Sequence, residues 1–245
     1  MAIKKRSNFD LTMATDPTSI SEIVSQLYPF KYSITGIGND NALSVLQSLL
    51  PFEVFEWPSG SELNGWLIPK SHFVEKALLL KDGKIIYDAK TSPLGLPSQC
   101  DSFSGTVSLE ELQEHLFSDP KLPEAIPANW TKLYRPDKSL WGFCLPDSLR
   151  QKLEKGKYEV IIKTREEQST MKVLVYTLQG DSEKTILFNA HNCHPFQAND
   201  DVSGIATGIA LMKRLQNKKN RNYTYQLMIA PELFGPAFWL DGLSD

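Results

Sequence analysis

Residues 190–204 (AHNCHPFQANDDVSG) concentrate side chains that could do chemistry. They hold two of the four histidines, His191 and His194, followed by the adjacent acids Asp200 and Asp201. Imidazole and carboxylate groups without paired thiols are the donors that zinc or another divalent ion takes in catalytic sites. One carboxylate can bridge two such ions, and another can accept a proton from water that an ion has made acidic. The segment therefore predicts a hydrolytic metal site.

The elements around this segment would bring a further acid to the same place. The two histidines follow an apolar stretch, residues 185–189, that reads as a strand buried on both faces. Apolar residues at helical spacing predict a helix over residues 204–215, and residues 225–230 read as the next buried strand, followed by Glu232. Because ligands in α/β sheets gather beyond the carboxyl ends of the strands, we expect His194, Asp200 and Glu232 to converge.

Structural explanations also exist for each of these residues. Asp200 or Asp201 could cap the following helix, with Asn199 supporting the turn. Glu232 could be a helix-initiating carboxylate. Cys193 reads as a small core residue rather than a ligand, since a lone cysteine after a buried strand usually packs there. The convergence of three polar clusters at strand ends favours the metal site over these separate explanations.

The first part of the chain, to about residue 55, is helical in pattern. Ser19 and Glu22 have the spacing of a capping box. Asn39 or Asp40 can cap a second helix, after a turn that contains Gly36 and Gly38. A lone Gly-x-Gly without a preceding strand is weak evidence for phosphate binding.

The middle and last parts of the chain differ in texture. Residues 56–140 are punctuated by proline and glycine, and Asp82-Gly83 between β-like runs is a strong hairpin signal. This part reads as a small, mainly β module. From about residue 141, strands alternate with helical stretches, which predicts a largely parallel α/β sheet.

The composition is that of a globular chain of 245 residues, 41% hydrophobic and 22% charged. The net charge of −3 argues against nucleic acid or an acidic membrane surface as a partner. No apolar run is long enough to span a bilayer, and the first residues lack the order of a secretory leader. Three separated cysteines fit reduced thiols better than a disulfide framework. These features predict a cytoplasmic protein that binds neither nucleic acid nor membrane.

Several motifs resemble those of known families. Residues 198–204 (ANDDVSG) resemble the bridging-aspartate motif of the co-catalytic dizinc aminopeptidases. The Cys-His-Pro element at 193–195 and the Pro-Glu pair at 231–232 resemble more closely an aminopeptidase-like family associated with polysaccharide biosynthesis. That family nests a small domain of unknown function inside its peptidase-like fold. The hallmarks of the nested domain and of the return from it are residues 58–60 (PSG), 66–69 (WLIP), 108–112 (SLEEL) and 141–144 (WGFC).

The resemblance implies an α/β, zinc-aminopeptidase-like fold: a mostly parallel sheet flanked by helices, with an inserted small β-rich domain. It assigns residues 18–59 and 139–245 to the outer domain and residues 60–138 to the nested domain. The implied cofactor is zinc, as one or two ions.

The resemblance also implies roles for the site residues. His194 would be a zinc ligand, with His191 as its competitor, and Asp200 would bridge the ions. Asp201 and Asn199 would support these ligands from behind. Glu232 would be the general base, or a zinc ligand if the register slips by one residue.

The sequence departs from the family pattern at two points. Dizinc aminopeptidases carry two consecutive glutamates, a general base and then a ligand, whereas Glu232 is followed by Leu233. The pattern also needs a further aspartate and a further histidine on later strands and loops. We therefore expect the 245 residues to be the N-terminal part of a longer protein, and by themselves to bind zinc weakly and turn over little substrate.

The leading function is a metal-dependent aminopeptidase-like hydrolase that cleaves an amide or peptide bond of a small peptide or aminoacyl conjugate. One alternative is a catalytically inactive or truncated relative that serves as a binding or scaffold protein. Another is a deacetylase-like enzyme in polysaccharide biosynthesis, suggested by the family's association. An uncovered sheet edge beyond residues 225–230 would favour a homo-oligomer, or a missing C-terminal part supplied elsewhere.

Overall fold

The computed structural model describes residues 19–243. Position 18 and positions 244 and 245 of the expected outer domain lie outside the described residues. The helices are α1 (Ile20–Leu27), α2 (Ile37–Leu49), α3 (Leu109–Glu114), α4 (Thr131–Tyr134), α5 (Asp147–Arg150), α6 (Ser203–Gln216) and α7 (Phe234–Asp241). The strands are β1 (Glu53–Pro58), β2 (Glu62–Leu63), β3 (Trp66–Leu67), β4 (Ser71–Lys81), β5 (Lys84–Asp88), β6 (Phe103–Ser108), β7 (Leu116–Phe117), β8 (Phe143–Cys144), β9 (Lys157–Glu167), β10 (Thr170–Leu178), β11 (Thr185–His191) and β12 (Thr224–Ala230). None of the described helices is long and apolar enough to cross a membrane.

The first sheet has the strand order β1-β10-β12-β11. β11 and β12 run parallel and are joined by α6, whereas β10 pairs antiparallel with both β1 and β12. The expected α/β fold class is confirmed. In the described part of the chain, however, the sheet is mixed rather than mostly parallel. A parallel pair needs a crossover connection, and among residues 19–243 only α6 connects two strands of this sheet in that way.

Strand β12 is buried on both faces. Leu227 and Ile229 pack into the core that holds α1, α2 and α6. The alternate residues Met228 and Ala230 pack on the other face with Trp239 of α7. This period-two alternation places helices on both sides of the sheet and fixes the end of β12 between them.

Strand β11 is an edge strand of this sheet in the described part of the chain. Ile186 is 38% exposed and Leu187 is 40% exposed. The expectation that residues 185–189 are buried on both faces is therefore wrong, and the open edge lies at β11 instead of beyond residues 225–230. The reason is the strand order, because β12 inserts between β10 and β11.

The second sheet has the order β5-β4-β9-β6 and is antiparallel throughout. The hairpin predicted at Asp82-Gly83 joins β4 to β5, and both residues have the positive φ (51° and 74°) that a two-residue hairpin requires. β9 lies between β4 and β6, so this sheet includes residues beyond 138. The next strand, β10, belongs to the first sheet again. The expected domain boundaries stay a prediction.

The two first helices begin differently. The capping box of α1 is confirmed: the Ser19 hydroxyl accepts from the Glu22 amide, and the Glu22 carboxylate accepts from the Ser19 amide. In α2 the expected cap is wrong. The helix begins before Asn39 and Asp40, with Gly36 at the cap position and no side-chain cap. Glycine at position 38 allows this start, because the first turn of α2 lies directly on the backbone of Lys31, where a Cβ would meet the Lys31 carbonyl oxygen at 1.9 Å.

Candidate metal centre

The ends of β11 and β12 bring the expected site residues to one edge of the first sheet. His191 is the register partner of Ala230, so the two parallel strands end at the same level. The chain turns through His194 after β11 and reaches Glu232 just after β12. Between these points, the short segment Ala198–Val202 carries both aspartates just before α6 begins, and both have non-helical backbone angles.

The carboxylate of Asp200 lies between two imidazoles. Its Oδ1 is 2.9 Å from His191 Nε2, and its Oδ2 is 3.6 Å from His194 Nδ1. On its other side, His194 Nε2 lies 3.5 Å from Glu232 Oε2. Both imidazoles are largely buried, whereas the side chains of Asp200 and Glu232 are about half exposed. The structure therefore brings together the four residues that the sequence selected, with the acids toward solvent.

The donor set fits a zinc ion. His191, Cys193, His194 and Glu232 each offer one ligand atom, and these atoms all lie within 4.8 Å of one another. Two atoms that each lie about 2.1 Å from one zinc ion are roughly 3–4 Å apart, which matches the contacts that Asp200 and Glu232 make with the imidazoles. The fit supports the ligand roles expected for these residues, which stay predictions.

The environment of His194 suits a metal ligand. Burial lowers the pKa of its imidazole, and the nearby Asp200 and Glu232 carboxylates only partly oppose this effect. Its Nδ1 is buried and has no hydrogen-bond partner among the described residues. A neutral imidazole with an unused ring nitrogen is the form that binds zinc.

The sequence predicted that Cys193 is a core residue and not a ligand, yet its thiol lies in the cluster with His191, His194 and Glu232. Its Sγ accepts a hydrogen bond from the Glu232 amide at 3.2 Å and is 3.7 Å from His191 Nδ1. Burial raises the pKa of this thiol to about 12. The protonated thiol thus ties the loop after β11 to the loop after β12.

Asp201 connects the site to the helix behind it. Its carboxylate accepts from the His191 amide and from the Gly204 amide, both at 3.1 Å. A Cβ on Gly204 would lie 2.1 Å from Asp201 Oδ1, so only glycine leaves room for this carboxylate. Asn199 is exposed, and the hydrogen bonds of the described residues include none from its side chain. Asp201 thus holds the backbone on both sides of the site through these hydrogen bonds, whereas no such contact among the described residues connects Asn199 to the site; the supporting roles stay predictions.

Two aromatic residues that the sequence did not mark as candidates, Trp130 and Tyr134, interact with residues of the site. The Trp130 ring lies 5.6 Å from the His194 ring. Burial raises the pKa of Tyr134, and the negative charge of Glu232 raises it further. Trp130 and Tyr134 are four residues apart around α4. That helical spacing of two aromatics is the only signal that could have marked them.

Leu233 follows Glu232 at the point where the dizinc pattern has a second glutamate. It adopts φ 62° and ψ −56° and is 49% exposed. The Glu232 carbonyl accepts from the Phe234 amide at 2.7 Å across this turn. The sharp turn presents Glu232 at the strand end, and the exposed leucine supplies no second carboxylate.

Comparison with known families agrees with this geometry. Residues 21–245 match the family described as a domain of unknown function, DUF4910. The chain belongs to the DUF4910 family. It is 30% identical, over 227 residues, to a Clostridium acetobutylicum protein whose name gives polysaccharide biosynthesis and an aminopeptidase-like domain. That match covers 92% of this chain and 51% of the relative, so the chain spans about half the length of this curated relative.

Solved structures show the same fold. A structure described as a peptidase from Clostridium acetobutylicum matches this DUF4910 chain with a TM-score of 0.76 and 28% identity. The match covers 92% of this chain and 53% of the chain in that structure. A zinc aminopeptidase from Bacillus subtilis matches with a TM-score of 0.58 and 12% identity, over 92% of this chain and 64% of its own. The fold is therefore of the aminopeptidase type.

Proposed function

We propose that this chain carries the site of a zinc-dependent aminopeptidase-like hydrolase that cleaves an amide or peptide bond in a small peptide or aminoacyl conjugate. The observation that carries the proposal is the position of Asp200, whose two carboxylate oxygens face two different imidazoles at the ends of β11 and β12. The relatives named as a peptidase and as an aminopeptidase-like protein support it. Because the chain spans about half of its relatives, the activity of any longer product is part of this proposal.

Three residues would hold the ion. His191 and His194 would each supply a ring nitrogen, and Asp200 would supply carboxylate oxygen. With two ions bound, each would take one of its two oxygens. A bound zinc ion would polarise the scissile carbonyl and make a water molecule more acidic. Asp201 would hold the His191 end of β11 in place through its backbone hydrogen bond.

Glu232 would move the proton. Its carboxylate is about half exposed beside His194, where it can reach both solvent water and a substrate amide. At Oε it would accept a proton from the attacking water and return it to the nitrogen of the leaving amine. The Cys193 thiol accepts a hydrogen bond from the Glu232 amide and so helps to hold the Glu232 backbone in place. If Glu232 were instead a zinc ligand, the only other described carboxylate after β12 would be that of Asp241, at the far end of α7.

Zinc titration and hydrolysis of aminoacyl anilides test the proposal. Glu232→Gln should keep zinc but lose at least about 100-fold in turnover, because a positioned general base contributes about 10²–10⁴-fold. Glu183→Gln, an exposed acid outside the site, is the matched control. Any longer product of the same gene is assayed beside the 245-residue chain. Loss of zinc in Glu232→Gln would make Glu232 a ligand, and unchanged turnover would refute the proposed base.

A non-catalytic relative is the second candidate. The observation that favours it is Leu233, because its exposed side chain stands where a second acidic ligand would be. Zinc binding without hydrolysis of peptides, anilides or N-acetylated sugars would support this candidate. Hydrolysis of N-acetylated sugars alone would instead support a deacetylase, in keeping with the name of the curated relative.

A further inference from the structure

A cavity of about 540 Å³ adjoins the candidate metal centre. It lies between the start of α2, the start of β4 and the loop after β5. Cys193 and Trp130 form its wall on the side of the metal cluster. The two residues also contact that cluster, through the Glu232 amide and the His194 ring. A substrate bound at the metal centre could therefore extend into this space.

The first turn of α2 opens into the cavity. Gly36, Ile37 and Gly38 all line it, and this 13-residue helix has no side-chain cap. The amides of Ile37 and Gly38 have no hydrogen-bond partner among residues 19–243. An uncapped helix N-terminus presents free N–H groups and a partial positive charge, which favour an anion.

Two buried polar side chains in the same cavity also lack a partner. Ser71 is 5% exposed and Gln99 is 9% exposed, and both line the cavity. Within the described chain, neither side chain makes a hydrogen bond. The Ser71 hydroxyl is aimed at the start of α2, since it lies 3.4 Å from the position that a Cβ on Gly36 would take. Their polar atoms are not among the fully buried, unpaired side-chain atoms of the described residues, so they open onto the cavity, where they can bind a polar ligand.

The charged residues of the cavity wall are basic. Lys31 and Lys90 line it, and none of its lining residues is acidic. His72 also lines it, but burial lowers the pKa of its imidazole, so it adds little positive charge at neutral pH. Asp40 follows in the first turn of α2, but its carboxylate forms an ion pair with Lys172, outside the cavity. The field in the cavity therefore favours a negative group.

We propose that this cavity binds the anionic end of the substrate, a carboxylate or a phosphate group. The amides of Ile37 and Gly38, the Ser71 hydroxyl and the Gln99 amide group would donate to its oxygens, with Lys31 at the rim. The part of this inference that concerns the substrate rests on the proposed function. The scissile amide would lie at Glu232, and the anionic group would lie in the cavity beyond Cys193.

Binding is measured on chelator-treated, metal-free protein, so that no anion is held by zinc. The amide resonances of Ile37 and Gly38 are followed during titration with inorganic phosphate, with N-acetylglycine and with the neutral N-acetylglycinamide. We expect saturable shifts with at least one anion and none with the neutral amide. Saturation by phosphate alone points to a phosphorylated substrate, and saturation by N-acetylglycine points to the carboxylate of a short peptide.

Variants of the cavity wall give the second readout. Ser71→Ala should weaken anion binding by about tenfold, since a hydrogen bond to a charged group is lost. Lys31→Ala is a second variant at an exposed position, where folding is not at stake. Ser48→Ala, on the exposed side of α2, is the matched control and should bind as the unaltered chain does. Equal binding of the neutral amide, no saturable shift with either anion, or unaltered affinity in both cavity variants would overturn the inference.

The same data separate this inference from the proposed function. Anion binding by metal-free protein together with no zinc-dependent hydrolysis would leave the cavity site standing and remove the hydrolase. Zinc-dependent hydrolysis without anion binding would remove the cavity site alone. In an active preparation, a dipeptide should have a lower KM than its C-terminal amide if the carboxylate is the bound group, and Ser71→Ala should reduce that difference.

Discussion

Asp200 Oδ1 lies 2.9 Å from His191 Nε2, while the other oxygen of the same carboxylate faces His194. The two histidines are only three positions apart, yet their rings lie edge to face, with centroids 4.8 Å apart. One acid thus contacts two imidazoles that come from the same strand end. This relationship is the basis of the first prediction.

His194→Ala should weaken zinc binding further. Removal of a residue that merely supports a ligand costs about 10–100-fold in metal affinity, so loss of a ligand should cost at least about 100-fold. Competitive zinc titration measures the change, and His191→Ala is measured in parallel. His115→Ala is the control, because His115 lies at the end of α3, where its ring pairs with the Trp141 carbonyl. Zinc affinity that falls only in His191→Ala would leave His191, and not His194, as the imidazole ligand.

Gly204→Ala should destabilise the chain and weaken zinc binding together. The added Cβ would displace the Asp201 carboxylate, which holds the His191 and Gly204 amides. We expect a loss of about 1–3 kcal/mol in the free energy of unfolding, as for other overpacked sites. Gly242→Ala is the matched control, because its nearest neighbour would be an ordinary contact at 3.7 Å. Urea unfolding of both variants checks the prediction, which equal stabilities would refute.

The three cysteines should resist thiol reagents in the folded protein. Burial raises the pKa of Cys100 to about 11 and the pKa values of Cys144 and Cys193 to about 12, so almost no thiolate forms at pH 8. Reaction with a disulfide reagent should be slow in buffer, and all three thiols should react in denaturant. Fast reaction of one thiol in buffer, removed by Cys193→Ala, would show that the metal-centre thiol is accessible and ionised.

Stability should fall on mild acidification, in part through His72. Burial lowers the pKa of His72 in the folded chain below the unfolded value of about 6.5. As the pH falls through that unfolded value, the unfolded chain takes up the proton first, and the folded state loses stability. The melting temperature should drop between pH 7 and pH 5, and His72→Gln should reduce the drop. An identical pH profile in the variant would exclude this contribution.

The open edge at β11 should promote self-association. Ile186 and Leu187 expose apolar surface on a strand whose outer edge has no partner among the described residues, the kind of edge that recruits another chain. Sedimentation velocity across a concentration series should show association, and Ile186→Lys should suppress it. Lys184→Ile, beside the same strand, is the reverse change and should increase it. A monomer at all concentrations would remove the predicted homo-oligomer.

Features encoded by neighbouring residues were predictable from the sequence. The Ser19 capping box and the Asp82-Gly83 hairpin depend on residues within one turn, and both formed as expected. The convergence of His194, Asp200 and Glu232 followed from strands that end beside each other. Their roles, the cytoplasmic location and the substrate partner stay predictions.

Features set by distant residues were not predictable. The start of α2 at Ile37 depends on Gly38 meeting the backbone of Lys31, which no local pattern encodes. The exposure of β11 depends on the order of strands, and that order is decided by which sheet each strand joins. Trp130 and Tyr134 reach the metal centre from the middle of the chain, across a sequence separation that periodicity cannot span.

The position of β9 between β4 and β6 has a consequence for anyone who cuts this chain into pieces. A fragment that ends at residue 138 would lack an interior strand of its own sheet and expose two long rows of unpaired backbone groups. A fragment that keeps residues 60–167 would keep every strand of that sheet, but would remove α4 with its aromatic cover from the metal centre. A strand from beyond residue 138 therefore completes the second sheet, and a cut at that residue would leave both pieces without backbone partners that they have in the intact chain.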